Sequence, residues 1–130
     1  MNKTRPSARA RYQQHKISAE KRGIESTLSY EDFYILKSQD CFYCDIPNFF
    51  LEEYSTHLHV NTPWMTLDRK DNSKGYTKEN TVACCYLCNR IKSNFFSVEE
   101  MRDLAQRYVK PKWSAFKDDV QFDLSTWKFF

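Results

Sequence analysis

The sequence has little of what nucleotide-binding and histidine-based enzymes need. Two glycines, Gly23 and Gly75, and three histidines, His15, His57 and His59, occur in 130 residues. Neither a dinucleotide fingerprint nor a phosphate loop can be written with so few glycines, because each places several where backbone must approach phosphate. Three histidines leave little material for an all-histidine catalytic zinc site. No apolar run follows Met1, so a secretory leader is not expected, and no stretch approaches the ~18 apolar residues of a membrane span. Internal repeats and low-complexity tracts are absent as well.

What is present points to a folded chain. Hydrophobic residues make up 41% and aromatic rings 16%, too apolar for disorder and enough for one modest core. The length fits one domain spanning 1–130. Five cysteines, an odd count without a leader, imply an intracellular reducing compartment, where clustered cysteines serve metals more often than disulfides.

The net charge of +3 hides a division along the chain. Lys3, Arg5, Arg9, Arg11, Lys16, Lys21 and Arg22 stand against Glu20 in the first 22 residues, whereas residues 31–56 carry six acids against Lys37. Residues 68–92 are basic again through Arg69, Lys70, Lys74, Lys78, Arg90 and Lys92. A polyanion would meet a basic N-terminal arm and a basic mid-chain loop, although either could be a solvated face.

Local patterns predict an α+β chain. Residues 1–23 read as a basic helix ended by Gly23. Ser29 with Asp32 resembles a capping signal for a short helix through Phe33, Ile35 and Leu36. Residues 45–63 look like an insertion of no assigned structure. Trp64–Leu67 and Thr81–Cys84 read as two strands around the turn-rich Asp71–Gly75, and Asn89 is expected to open a helix. Ser97 with Glu100 forms a capping box for a helix over 97–110, stopped by Pro111. The tail, 111–130, holds Trp113, Phe116, Phe122, Trp127, Phe129 and Phe130, too many rings for solvent; it is expected to dock on the domain or on a second copy, giving a homodimer or larger assembly.

The strongest chemical signal is a pair of C-x2-C knuckles, Cys41/Cys44 and Cys85/Cys88. Two such knuckles place four thiolates around one tetrahedral zinc with no open position, hence a structural site. Two unrelated thiol pairs or a redox C-x2-C are the competing readings. Cys84 reads as a strand residue that packs inward.

From Cys41 to Lys92 an ordered series of motifs adds to the knuckles: Leu67-Asp68-Arg69, Asp71-Asn72-Ser73-Lys74-Gly75-Tyr76, Asn80, then Cys85-x2-Cys88-Asn89-x2-Lys92. The series resembles the HNH endonuclease family in its zinc-stapled form, as found in phages, large DNA viruses and mobile elements. The resemblance implies a small treble-clef or ββα-metal core over 41–96 that holds one Mg2+ or Mn2+ against a scissile phosphate of double-stranded DNA. Asp68 and Asn89 would ligate that cation, and Asn80 would fall on the family's middle asparagine and steady the loop. One carboxylate and one amide oxygen suit a hard cation that keeps sites for water and phosphate. Arg69, Lys70, Lys74, Arg90 and Lys92 would meet phosphates.

The family's general-base histidine follows the metal-binding aspartate, and Arg69 stands there instead. An arginine cannot take a proton from water. Three possibilities follow: a metal-activated water suffices, with Arg69 on the phosphate; His59, His57 or Asp71 swings in as base; or the chain binds nucleic acid without cutting it.

Overall fold

The computed structural model describes residues 6–127, with side chains described to residue 120. The chain runs α1 (Ala8–Lys21), α2 (Tyr30–Lys37), α3 (Asn48–His57), β1 (Thr66–Arg69), β2 (Thr81–Cys84), α4 (Tyr86–Lys92) and α5 (Val98–Leu104). A π-helical turn (Ala105–Val109) then leads into α6 (Lys110–Trp127). It is an α+β fold whose two antiparallel strands pair Thr66 with Cys84 and Asp68 with Val82. No described helix is long and apolar enough to cross a membrane.

Caps set several of these boundaries. Ser29 and Ser97 each close a full capping box, with Asp32 and Glu100 respectively. Gly23, at φ +68°, ends the N-terminal helix in the left-handed region that glycine enters without strain. Ser7 caps that helix, so it starts at Ala8. Lys3 and Arg5 of the basic arm lie outside the described residues.

Four expectations need correction. Residues 45–63 contain α3, whose Phe50, Leu51 and Tyr54 share one buried face. The first strand starts at Thr66 rather than Trp64. Asn89 does not open α4, because Cys85 is its N-cap and accepts the Cys88 amide at 3.5 Å. Helix 97–110 does not stop at Pro111. In α geometry that ring presses on the carbonyl four residues back; here that residue, Arg107, lies in the wider π turn, and the helix continues as α6.

The main core gathers both knuckles, β2 and α3 against α5 and α6. Trp113 and Phe116 turn inward onto Phe50, with ring centroids at 6.5 and 5.9 Å, so these two rings dock on their own core. Phe122, Trp127, Phe129 and Phe130 lie outside the described side chains.

A smaller cluster of Ala19, Leu28 and Tyr76 joins the N-terminal helices to the loop between the strands. Thr27 N–H donates to the Tyr76 carbonyl at 2.9 Å, and Tyr76 N–H donates to that of Glu25 at 2.8 Å. Gly75 permits this approach, since a Cβ there would sit 2.3 Å from the Glu25 carbonyl oxygen.

His15 is packed into the same joint, 3.0 Å from Ser26 Oγ and edge-on to Tyr76 at 4.7 Å. Burial, reinforced by the charges of Lys37 and Arg22, holds its pKa below the ordinary 6.5. The unfolded chain therefore takes up the proton first as pH falls, and stability declines through 6.5 until the folded imidazole also protonates. Denaturant unfolding between about pH 7 and about pH 5 should show His15→Gln losing stability less steeply than wild type, by up to about 1.4 kcal/mol per pH unit. Parallel slopes would contradict a neutral, half-buried His15.

Candidate functional site

The two knuckles close on each other. Sγ atoms of Cys41, Cys44, Cys85 and Cys88 all lie within 4.8 Å of one another, and all four residues are buried. The Cys44 to Cys85 separation is 3.8 Å, matching the roughly 3.8 Å between ligands of a tetrahedral ion with ~2.3 Å metal–sulfur bonds. Hydrogen bonding within the cluster holds Cys41 down as the first thiolate and pushes Cys44 and Cys88 up. A cation removes that conflict between thiolates, so the cluster can hold a metal ion such as zinc. Cys84 instead points its thiol at the Cys85 carbonyl, 3.4 Å away, fully buried.

Residues far along the chain hold the first knuckle. Gln106 donates to the Tyr43 carbonyl at 2.8 Å and to Asp45 Oδ2 at 2.9 Å. Lys110 pairs with Asp45 at 3.1 Å, and Trp113 Nε1 donates to the Cys44 carbonyl at 2.9 Å. Arg102 donates to the Phe42 carbonyl. The π turn and α6 thus grip the backbone around the ligands, an outer layer that no spacing in the sequence reveals.

Beside this centre an open cleft of about 530 Å3 is lined by Asp68, Arg69 and Asn89 among others. Strand β1 presents Asp68, and α4 presents Asn89 one residue after Cys88. Their orientations are set from behind. Thr66 Oγ1 donates to the Cys84 carbonyl at 2.6 Å, so it must accept from Asn89 Nδ2 at 2.9 Å. That relay fixes the amide and leaves Asn89 Oδ1 without a protein donor among the described residues.

Asp68 is 5% exposed. The buried Tyr43 hydroxyl donates to its Oδ2 at 2.6 Å. Lys92, with 0% exposure, sets its ammonium 3.4 Å from each carboxylate oxygen and 3.2 Å from the Arg69 carbonyl. Burial raises the Asp68 pKa, opposed by the Tyr43 hydrogen bond and the Lys92 charge. Tyr43 is pushed well above its ordinary range by burial and by Asp68, so it stays a donor. One carboxylate and one freed amide oxygen on the same cleft fit a hard divalent cation.

The other residues singled out from the sequence divide. Asn80 accepts the Asp71 amide at 2.9 Å and donates to the Asp71 and Gly75 carbonyls at 3.0 and 2.9 Å, pinning the loop. Arg69 donates through Nη1 to the Asn72 and Lys74 carbonyls, both at 2.9 Å. Arg90 also lines the cleft, whereas Lys74 is exposed and Lys70 sits 5.7 Å over the Phe42 ring, neither of them in the cleft lining. Lys92, expected on a phosphate, is instead turned inward onto Asp68.

The candidate bases are not brought to the cleft. His57 stacks on Phe116 at 4.1 Å, and His59, at φ +58°, is the left-handed residue that ends α3. Asp71 points into its own loop, accepting the Ser73 amide and hydroxyl at 2.9 and 2.6 Å. Tyr43 and Thr66 complete the site, and sequence reading misses them: a tyrosine between two clustered cysteines and a strand threonine look like ordinary core residues. Arg22, one charge of the basic arm in the sequence, also lines the cleft.

No family model matches the chain. A solved structure of the rare-cutting HNH restriction endonuclease PacI is similar to it, at 27% identity and a TM-score of 0.73, with 90% of this chain and 86% of that one covered. An uncharacterized protein of Acanthamoeba polyphaga mimivirus is 32% identical over 89 residues, 68% of this chain. This chain spans only 14% of that curated relative's length. The resemblance to HNH endonucleases therefore holds in three dimensions, together with a four-cysteine cluster able to hold zinc.

The Lys92–Asp68 pair yields a stability prediction. Asp68→Ala leaves a buried ammonium without its counter-charge and should cost about 3–5 kcal/mol in denaturant unfolding. Adding Lys92→Met should return most of that loss; additive destabilisation would contradict the pairing.

Proposed function

We propose, on the premise that this chain has the fold of HNH endonucleases, that it is a divalent-metal-dependent endonuclease hydrolysing phosphodiester bonds of double-stranded DNA, with a structural zinc at the four cysteines. The observation that carries the reading is that Asp68 and Asn89 line one cleft of a chain similar in structure to an HNH endonuclease. PacI is a restriction endonuclease that perturbs DNA; for this chain, DNA is supported by that likeness and by the cleft's arginines.

Asp68 and Asn89 would hold the catalytic Mg2+ or Mn2+, which when bound supplies an activated water and stabilises charge on the phosphate. Everything else falls to the protein's own groups. Lys92 and Tyr43 keep the Asp68 carboxylate ionised and aimed. Thr66 keeps the Asn89 oxygen facing the cleft. Arg69, with Nη1 fixed to the loop, keeps its remaining N–H groups for the scissile phosphate and its developing charge. Lys70, Lys74 and Arg90 extend the phosphate footprint. His59 has no part in the reaction.

A second reading, a nucleic-acid-binding module that cuts weakly or not at all, is favoured by two observations. No histidine lines the cleft, and part of the Arg69 guanidinium already serves two loop carbonyls.

Nicking of supercoiled plasmid with Mg2+ or Mn2+ separates the two readings. Asn89→Ala, which disturbs no buried ion pair, should reduce nicking about a hundredfold to a thousandfold, and His59→Ala should leave it unchanged. Tight DNA binding with no divalent-dependent nicking by the wild type would replace the enzyme reading with the module.

A further inference from the structure

The cleft has a wall that belongs to neither the strands nor α4. Arg22, the C-cap of the N-terminal helix, lines it together with Asn89. Its Nη1 donates to the Tyr76 hydroxyl at 3.2 Å. Tyr76 is 6% exposed and locked by backbone hydrogen bonds to Glu25 and Thr27. The same ring carries Arg69, whose Cζ lies 5.5 Å from its centroid. One buried tyrosine therefore sets two guanidiniums side by side, one through its hydroxyl and the other over its face.

A second arginine–tyrosine pair in the same lining repeats the device. Arg90 Nη1 donates to the Tyr86 hydroxyl at 2.8 Å, and both residues line the cleft. No carboxylate lies within ion-pair distance of Arg22, Arg69 or Arg90 among the described residues, whereas Asp68 is already matched by Lys92. The cleft thus holds three guanidiniums outside any ion pair among the described residues, each anchored through part of its donor set.

We propose that Arg22 contacts a backbone phosphate of the nucleic acid bound in this cleft, and that Tyr76 is the positioning residue that holds it there. The N-terminal helix is then a structural wall of the binding site. Arg22 and Arg90 would then hold phosphates of one strand lying in the cleft that Asp68 and Asn89 also line. This inference rests on the nucleic-acid reading above.

Binding of a short DNA duplex, measured without added divalent cation over a range of salt concentrations, provides the test. Arg22→Ala should lower affinity about tenfold and reduce the slope of log affinity against log salt by about 0.9, the share of one phosphate contact. Tyr76→Phe keeps the ring under Arg69 and should lower affinity roughly threefold with the slope unchanged. Lys21→Ala, a basic neighbour outside the cleft lining, should change both quantities far less.

If Arg22→Ala behaves like Lys21→Ala, Arg22 makes no such contact and the inference fails. If Arg22→Ala is impaired but Tyr76→Phe matches wild type, Tyr76 does not position it. If wild type itself shows no salt-dependent duplex binding, the nucleic-acid reading fails, an outcome distinct from a silent Arg22 variant.

Discussion

Closure of two cysteine knuckles, 40 residues apart in sequence, is the constraint on which the structure depends. A two-stranded sheet with four-residue strands cannot hold itself together in water. Here its second strand runs directly into Cys85, and Phe42 N–H donates to the Ala83 carbonyl at 2.9 Å, so the first knuckle lies against the hairpin. Asn89 follows Cys88 on the next turn of α4. The geometry of the four-cysteine cluster is thereby passed to the cleft through one residue of chain.

The cleft adds a second polar layer that depends on the first. Tyr43 sits between Cys41 and Cys44, yet its hydroxyl reaches Asp68; Lys92 lies at the end of α4 and reaches the same carboxylate. A buried ammonium and carboxylate would be expensive to desolvate separately, and the pair fixes Asp68 more than it stabilises the fold. Thr66 performs the equivalent task for Asn89 by tying it to the Cys84 carbonyl. Both candidate ligands are thus oriented by groups supplied from the cysteine scaffold, and the N-terminal helices close the other side through Tyr76.

Much of this is legible in the sequence wherever chemistry is local. The C-x2-C pairs, the hairpin and the capping boxes at Ser29 and Ser97 depend on spacings of a few residues, while Asn80 is legible only through the family resemblance. Helix α3 is hidden because Pro47 offers no side-chain cap and Phe49 is exposed beside Phe50. The helix beyond Pro111 escapes notice because a π turn leaves no sequence signature that outweighs proline's usual role as a stop. The charge of Lys92 suggests a surface contact, since nothing local shows that a carboxylate 24 residues earlier draws it inside. Arg22 belongs by sequence to a basic arm, and only the contact between Gly75 and Glu25 reveals which way that arm folds.

The central claim is that a metal at the four cysteines builds the cleft. Amide hydrogen exchange on protein carrying about one zinc per chain, compared with the same protein stripped by chelator under reducing conditions, tests it most directly. Protection across Thr81–Lys92 should be lost together with that of Thr66–Arg69 when the metal leaves, and return when zinc is restored. Unchanged protection of both segments in fully reduced, metal-free protein would contradict the account.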